Sequence, residues 1–124
     1  MTHPFSVRIF LVDGDPAGIK TVEKTNWSGV GLVFPQSLFA VARKRPELQR
    51  TGVYILVGPG ESVQLPMVYI GEGDPILPRL QQHESKKDWW THAVAFTSNT
   101  ILNYRSGQKM RRYFFAGRSK DAVA

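Results

Sequence analysis

Apolar and polar positions alternate from Ser6 to Val12, with Val7, Ile9 and Leu11 on one face and Arg8, Phe10 and Val12 on the other. A period of two predicts a half-buried strand. The turn signal Asp13-Gly14-Asp15-Pro16 ends it, and IKTVEKTNW supplies a second, more polar strand closed by Ser28-Gly29. In LVFPQSLFAVARKRP the period lengthens and predicts a helix: Leu38, Val41 and Ala42 share a face, Pro35 suits the first turn and Pro46 stops it.

Two later runs, GVYILV from Gly52 and MVYIG from Met67, are short, rich in β-branched and aromatic residues and bounded by Gly and Pro, so both read as strands. The linker between them, VGPGESVQLP, is longer than a tight hairpin turn. Asp74-Pro75 marks a helix entry, and PILPRLQQHESKK turns Ile76, Leu77 and Leu80 inward while Arg79 and His83 share one face. Pro78 is tolerable only in that helix's first turn. THAVAFTS gives the next strand; beyond Asn99 no periodicity stands out, and no internal repeat occurs. Strands arriving as hairpins with helices between them favour a small α+β sandwich over a doubly wound parallel sheet.

A chain of 124 residues fits one domain with a modest core. It has no cysteine, which removes disulfides and thiolate metal sites and suits a reducing, cytoplasmic setting. SVRIFLV lacks a basic flank and a small-residue cleavage site, so it reads as a strand and not as a signal peptide. No run approaches the roughly 18 apolar residues of a membrane span. The net charge of +6 is unevenly placed: through Thr100 there are ten Lys and Arg against nine Asp and Glu, whereas Ile101 to Ala124 hold six basic residues against Asp121 alone. The body is close to neutral, and the excess lies in a basic C-terminal tail.

The residues fit for chemistry are Tyr54, Tyr69, Arg79 and His83. Each strand can project its tyrosine, and Arg79 and His83, four apart, stand one above the other on the following helix. Together they can meet one anion, with Arg as a planar fork for phosphate and Tyr or His as proton donor or acceptor. Each also has a plainer reading: the tyrosines as half-buried strand residues with hydroxyls at the surface, Arg79 and His83 as solvated helix residues. Order and spacing favour the site, since Tyr54 precedes Tyr69 by 15 residues, Tyr69 precedes Arg79 by 10 and Arg79 precedes His83 by four.

In that order the chain resembles the GIY-YIG endonuclease family, whose signature is two strands carrying Gly-Ile-Tyr-like and Tyr-Ile-Gly-like triplets followed by a helix bearing an arginine. Gly52-Val53-Tyr54 matches the first triplet with one conservative change, and Tyr69-Ile70-Gly71 matches the second outright. Arg79 falls where the helix arginine belongs, and His83 where a number of members place a histidine one turn later. The resemblance spans Thr51 to about Ser98. It implies a small antiparallel β-sheet flanked by helices, here with an N-terminal ββα extension. Residues 1–50 would form that extension, packed on the same domain, 51–100 the nuclease-like core and 101–124 the atypical tail.

The resemblance further implies hydrolysis of DNA phosphodiester bonds with a divalent metal ion, Mg²⁺ or Mn²⁺. Tyr54, or Tyr69 through a shared hydrogen bond, would help deprotonate the attacking water, with Arg79 and the metal favouring the phenolate. Arg79 would neutralise charge on the phosphate, His83 would assist proton transfer or contact the phosphate, and Gly52 and Gly71 would be structural. One family feature is missing. Members carry a metal-binding glutamate on a later helix, but no glutamate follows Glu84, and the basic sequence ILNYRSGQKMRRYFFAGRSKDAVA stands in its place. Either the second half of the nuclease core has been lost, as by a shifted reading frame, or another carboxylate serves; the charge change where the pattern stops favours loss.

Other features carry two readings each. Glu72, Asp74 and Glu84 lie near the signature, where Asp74 reads as a helix cap and the glutamates as solvated rather than metal ligands. Trp89-Trp90 beside Lys86 and Lys87 can stack a base and contact phosphates, though packing suits at least one tryptophan better. Arg43-Lys44-Arg45 and Arg111-Arg112 are surface charges or contacts to a nucleic-acid backbone. Two alternatives to the endonuclease remain: a truncated or degenerate domain that binds nucleic acid without cleavage, and a non-enzymatic interaction domain whose basic tail docks on a protein.

Overall fold

The computed structural model describes residues 3–60, 65–86 and 89–98. The expected α+β fold is present. Six strands form one antiparallel sheet: β1 (Val7–Leu11), β2 (Lys20–Lys24), β3 (Gly29–Pro35), β4 (Gly52–Gly58), β5 (Met67–Gly73) and β6 (His92–Ser98). Their order across the sheet is β1-β2-β3-β6-β4-β5, with every neighbouring pair antiparallel. A 3-10 turn (Gln36–Leu38), the short helix α1 (Phe39–Ala42) and a second 3-10 turn (Pro46–Gln49) connect β3 to β4. Helix α2 (Leu77–Lys86) follows β5. None of the described helices is long and apolar enough to cross a membrane.

The first three strands form a meander. Gly14 takes a positive φ of 80° in the first turn, where Asp15 Oδ1 accepts from the Ala17 N–H at 2.9 Å, and Asn26 takes φ 60° in the second. The expected N-terminal extension thus contributes three strands rather than two. Leu32, Val33 and Phe34 belong to β3, not to a helix, and Pro35 ends that strand instead of opening a helical turn. The continuous apolar run fits a strand paired on both edges, with β2 on one side and β6 on the other. Helical structure begins only after it, with Phe39 and Ala42 buried and Leu38 packed against the core; of the expected inward face only Val41, 54% exposed, turns outward.

One face of the sheet carries the core. Leu32 and Phe34 of β3, Ala93 and Ala95 of β6, and Tyr54 and Leu56 of β4 form one core with Phe39, Ala42, Leu48, Ile76, Leu80 and Trp90. The alanines sit at the centre of the sheet, where small side chains let the covering segments approach. Every described helical segment that buries apolar residues lies on this face.

Strand β1 lies beyond the covering layer. Its Val7, Ile9 and Phe10 are 54%, 57% and 60% exposed, so the alternation that predicted a half-buried strand describes one open on both faces. It is an edge strand whose only described sheet partner is β2. Urea unfolding should separate the two environments: Leu56→Ala, at a fully buried site, should cost about 2–5 kcal/mol, whereas Phe10→Ala should stay within about 0.5 kcal/mol.

Candidate functional site

The register of the β4–β5 hairpin explains why a tyrosine and a glycine recur on both arms. Tyr54 lies opposite Gly71, and Gly52 opposite Gly73. A Cβ on Gly71 would stand 2.5 Å from the Tyr54 hydroxyl oxygen and 2.6 Å from its Cζ. The absent side chain is the slot into which the end of the Tyr54 ring extends. Gly52 is constrained from another side, since a Cβ there would collide with the Phe96 carbonyl oxygen and approach Ile76 Cδ1. Each glycine of the signature is required by a close approach within the fold.

Tyr54 and Tyr69 project from the same face of adjacent strands, with ring centroids 6.2 Å apart and planes 27° apart. Helix α2 brings His83 onto both rings: its centroid is 5.6 Å from Tyr54, edge-on, and 4.6 Å from Tyr69. Tyr54 Oη and His83 Nε2 are hydrogen bonded at 2.9 Å. Arg79, one turn earlier on the same helix face, is exposed, and its Cγ lies over Gly73. The four residues singled out in the sequence therefore converge from two strands and one helix. Tyr54 is buried at 1% exposure, Tyr69 and His83 are half-buried, and Arg79 faces solvent.

The electrostatics of Tyr54 depart from the expected activation. Burial pushes its phenol well above the ordinary tyrosine value, and the neighbouring Tyr69, by charge and by hydrogen bonding, pushes the same way. Arg79 pulls it down, as expected, but desolvation is the larger effect. Near neutrality the Tyr54 hydroxyl therefore keeps its proton and acts as a neutral hydrogen-bonding group between His83 and Tyr69.

Placement of the helix depends on residues outside the Gly, Tyr, Arg and His signature. The Thr51 hydroxyl donates to Asp74 Oδ1, so Asp74 ties the start of β4 to the lead-in of α2, where a helix cap had been expected. The Ile76 N–H donates to the Arg50 carbonyl at 3.0 Å, the Arg50 guanidinium to the Ser98 carbonyl at 3.1 Å, and the buried Thr97 hydroxyl to the Thr51 carbonyl at 2.8 Å. These contacts clamp the ends of β4 and β6 to the segment that carries Arg79 and His83.

The remaining candidates are placed elsewhere. Trp90 is fully buried and edge-on to Phe39, which excludes base stacking by that residue, and Trp89 is half-buried against the core. Arg43 and Lys44 are exposed after α1, and Arg45 is paired with Glu47 at 3.0 Å. Lys86 ends α2, while Lys87, Arg111 and Arg112 lie outside the described residues.

Among the described residues no group of three or more His, Asp and Glu could hold an ion. Glu72 follows Gly71 directly and so points to the opposite face of the sheet from Tyr54 and Tyr69. Comparison of the sequence with protein-family models, with curated proteins and with solved structures gave no match.

Two measurements probe the Tyr54 slot. In an absorbance titration of tyrosine ionisation, one of the four tyrosines should stay protonated as the pH passes 10, and ionise only with unfolding. The unfolded chain releases that proton near pH 10 while the folded chain retains it, so this contribution to stability is complete below pH about 10 and falls as the pH rises further. Gly71→Ala should destabilise by about 1–3 kcal/mol in urea and remove the resistant tyrosine, because the added Cβ displaces the ring.

Proposed function

We propose that the chain is a nuclease domain of the GIY-YIG type, acting on DNA phosphodiester bonds. The observation that carries this reading is the convergence of Tyr54, Tyr69 and His83 into one contacting cluster, with Arg79 a single helical turn away. The sheet is consistent with it too: β5-β4-β6 forms an antiparallel unit in which β4 is central and α2 packs on the tyrosine-bearing face.

Within this reading each side chain takes a role suited to its environment. Arg79, exposed and at the mouth of the cluster, meets the phosphate and offsets charge developing on it. His83 accepts or relays the proton of the attacking water, and Tyr54, held neutral by burial, fixes the imidazole through the 2.9 Å hydrogen bond. Tyr69 is the phenol at the solvent side of the cluster. Among the described residues no group of three or more His, Asp and Glu could hold the divalent ion implied by the resemblance, and none of these roles is routed through it.

A second reading, binding of nucleic acid without cleavage, is favoured by the carboxylates: no glutamate follows Glu84, and Glu72 faces away from the cluster. Nicking of supercoiled plasmid in Mg²⁺ or Mn²⁺ distinguishes the two. The nuclease reading expects nicking by the wild type and a loss of about 100-fold or more in Arg79→Ala. Tyr54→Phe and His83→Ala should each be impaired, and the double variant no worse than the poorer single one, because the two side chains act through one contact. Absence of nicking with salt-dependent DNA binding supports the second reading; absence of both overturns the two together.

A further inference from the structure

The exposed large apolar side chains of the described residues gather at one margin of the sheet. Phe5, Val7, Ile9 and Phe10 are each more than half exposed and lie on β1 or just before it, which leaves only Val41 and Leu65 elsewhere. The backbone of β1 is open as well. The register Val7↔Lys24 and Leu11↔Lys20 sets Ser6 opposite Thr25 and Val12 opposite Ile19, and both pairs are hydrogen bonded. The Thr25 N–H donates to the Ser6 carbonyl and the Val12 N–H to the Ile19 carbonyl, each at 3.0 Å. Backbone groups alternate sides along an antiparallel strand, so those of Arg8 and Phe10 also point to β2, whereas those of Val7, Ile9 and Leu11 point away from it.

Among the described residues β2 is the only sheet partner of β1. The Leu11 carbonyl accepts from the Gly14 N–H at 3.1 Å in the turn. The Val7 and Ile9 carbonyls and the N–H groups of Val7, Ile9 and Leu11 make up the open edge. Val7 to Leu11 contain neither the proline nor the lysine that guards many edge strands against pairing.

We propose that β1 pairs antiparallel with β1 of a second copy of this chain, giving a twofold dimer with one continuous sheet. The second copy is selected because the strand is complementary to itself when turned about Ile9. With Ile9 opposite the partner's Ile9, the Ile9 N–H of each copy reaches the Ile9 carbonyl of the other, and the Leu11 N–H of each reaches the partner's Val7 carbonyl. The Val7 N–H faces the partner's Leu11 carbonyl, which has a second lone pair beside the one used in the turn. On one side of the sheet Ile9 meets its counterpart and Val7 meets the partner's Leu11. On the other, Arg8 lies beside the partner's Phe10, a favourable placing of a cation at an aromatic ring, and keeps Glu23 at 2.7 Å on its other flank.

Neighbouring registers lack this fit. Turning the strand about Arg8 sets two guanidinium groups against each other in the closer, non-hydrogen-bonded pairing, and turning it about Phe10 sets Val7 against Asp13 of the turn. Strand β5 lies at the opposite margin from β1, so both tyrosine clusters stand clear of the junction and the dimer does not depend on the nuclease reading.

Light scattering during size exclusion on the full chain, across a wide concentration range, should find a dimer that dissociates on dilution and no larger species. Ile9→Lys and Ile9→Glu, both at an exposed site, should leave the circular dichroism spectrum unchanged. Each should raise the dimer dissociation constant about tenfold, because it sets like charges together on the twofold axis. An equimolar mixture of the two variants should recover the dimer, an outcome available only to a residue that faces itself across the junction. A wild-type chain that is monomeric throughout overturns the proposal, as does a dimer that both variants leave intact. A mixture no more dimeric than either variant alone overturns the pairing about Ile9, and species beyond the dimer overturn the closed twofold.

Discussion

Strand β6 is the element on which the architecture depends. It is the last described strand in the sequence, yet it lies between β3 and β4 and is hydrogen bonded to both. Without it the β1-β2-β3 meander and the β4–β5 hairpin have no shared edge. Its inward residues are the alanines Ala93 and Ala95, and the second of these lies directly opposite Tyr54. A larger side chain at that position would compete with the ring for the same space, so the strand that joins the sheet also leaves room for the cluster. At its end the Thr97 hydroxyl donates to the Thr51 carbonyl of the chain entering β4, and the Ser98 carbonyl accepts from Arg50.

Within the cluster, two opposing influences act on one hydroxyl. The Arg79 charge favours ionisation of Tyr54, and the apolar surroundings oppose it; the second is larger because the ring is buried while the guanidinium is exposed and its field is shared with water. The same burial that makes the Tyr54 side chain rigid withholds it from work as a base. Rigidity has its own use, since a hydroxyl that cannot rotate away holds the imidazole beside it in one orientation.

Much of this was legible in the sequence, and the parts that were not share a physical origin. β4, β5, β6 and α2 were readable because their alternation or helical spacing is bounded by Gly and Pro, and the spacing of Tyr54, Tyr69, Arg79 and His83 anticipated their meeting. Leu32 to Phe34 misled because an apolar run paired on both edges has no period of its own, and the Pro after it resembles a helix start. The exposure of β1 depends on how far the covering layer reaches, which local alternation does not encode. The sense of the Tyr54 shift was also hidden, since Arg79 was visible in the spacing whereas desolvation arises from the burial of the ring in a core assembled from distant segments.

Tyr54 belongs to the buried core as fully as to the cluster, and Gly71 serves it in both capacities. Under the proposed nuclease reading, the requirement of the fold and the requirement of the chemistry therefore fall on the same two positions. A lineage in which the chemistry ceased to matter would still lose stability on replacing either residue, and would keep the pair for as long as it kept the fold. Arg79, exposed and outside the packed core, is held by no such requirement and would be the first of the four to drift.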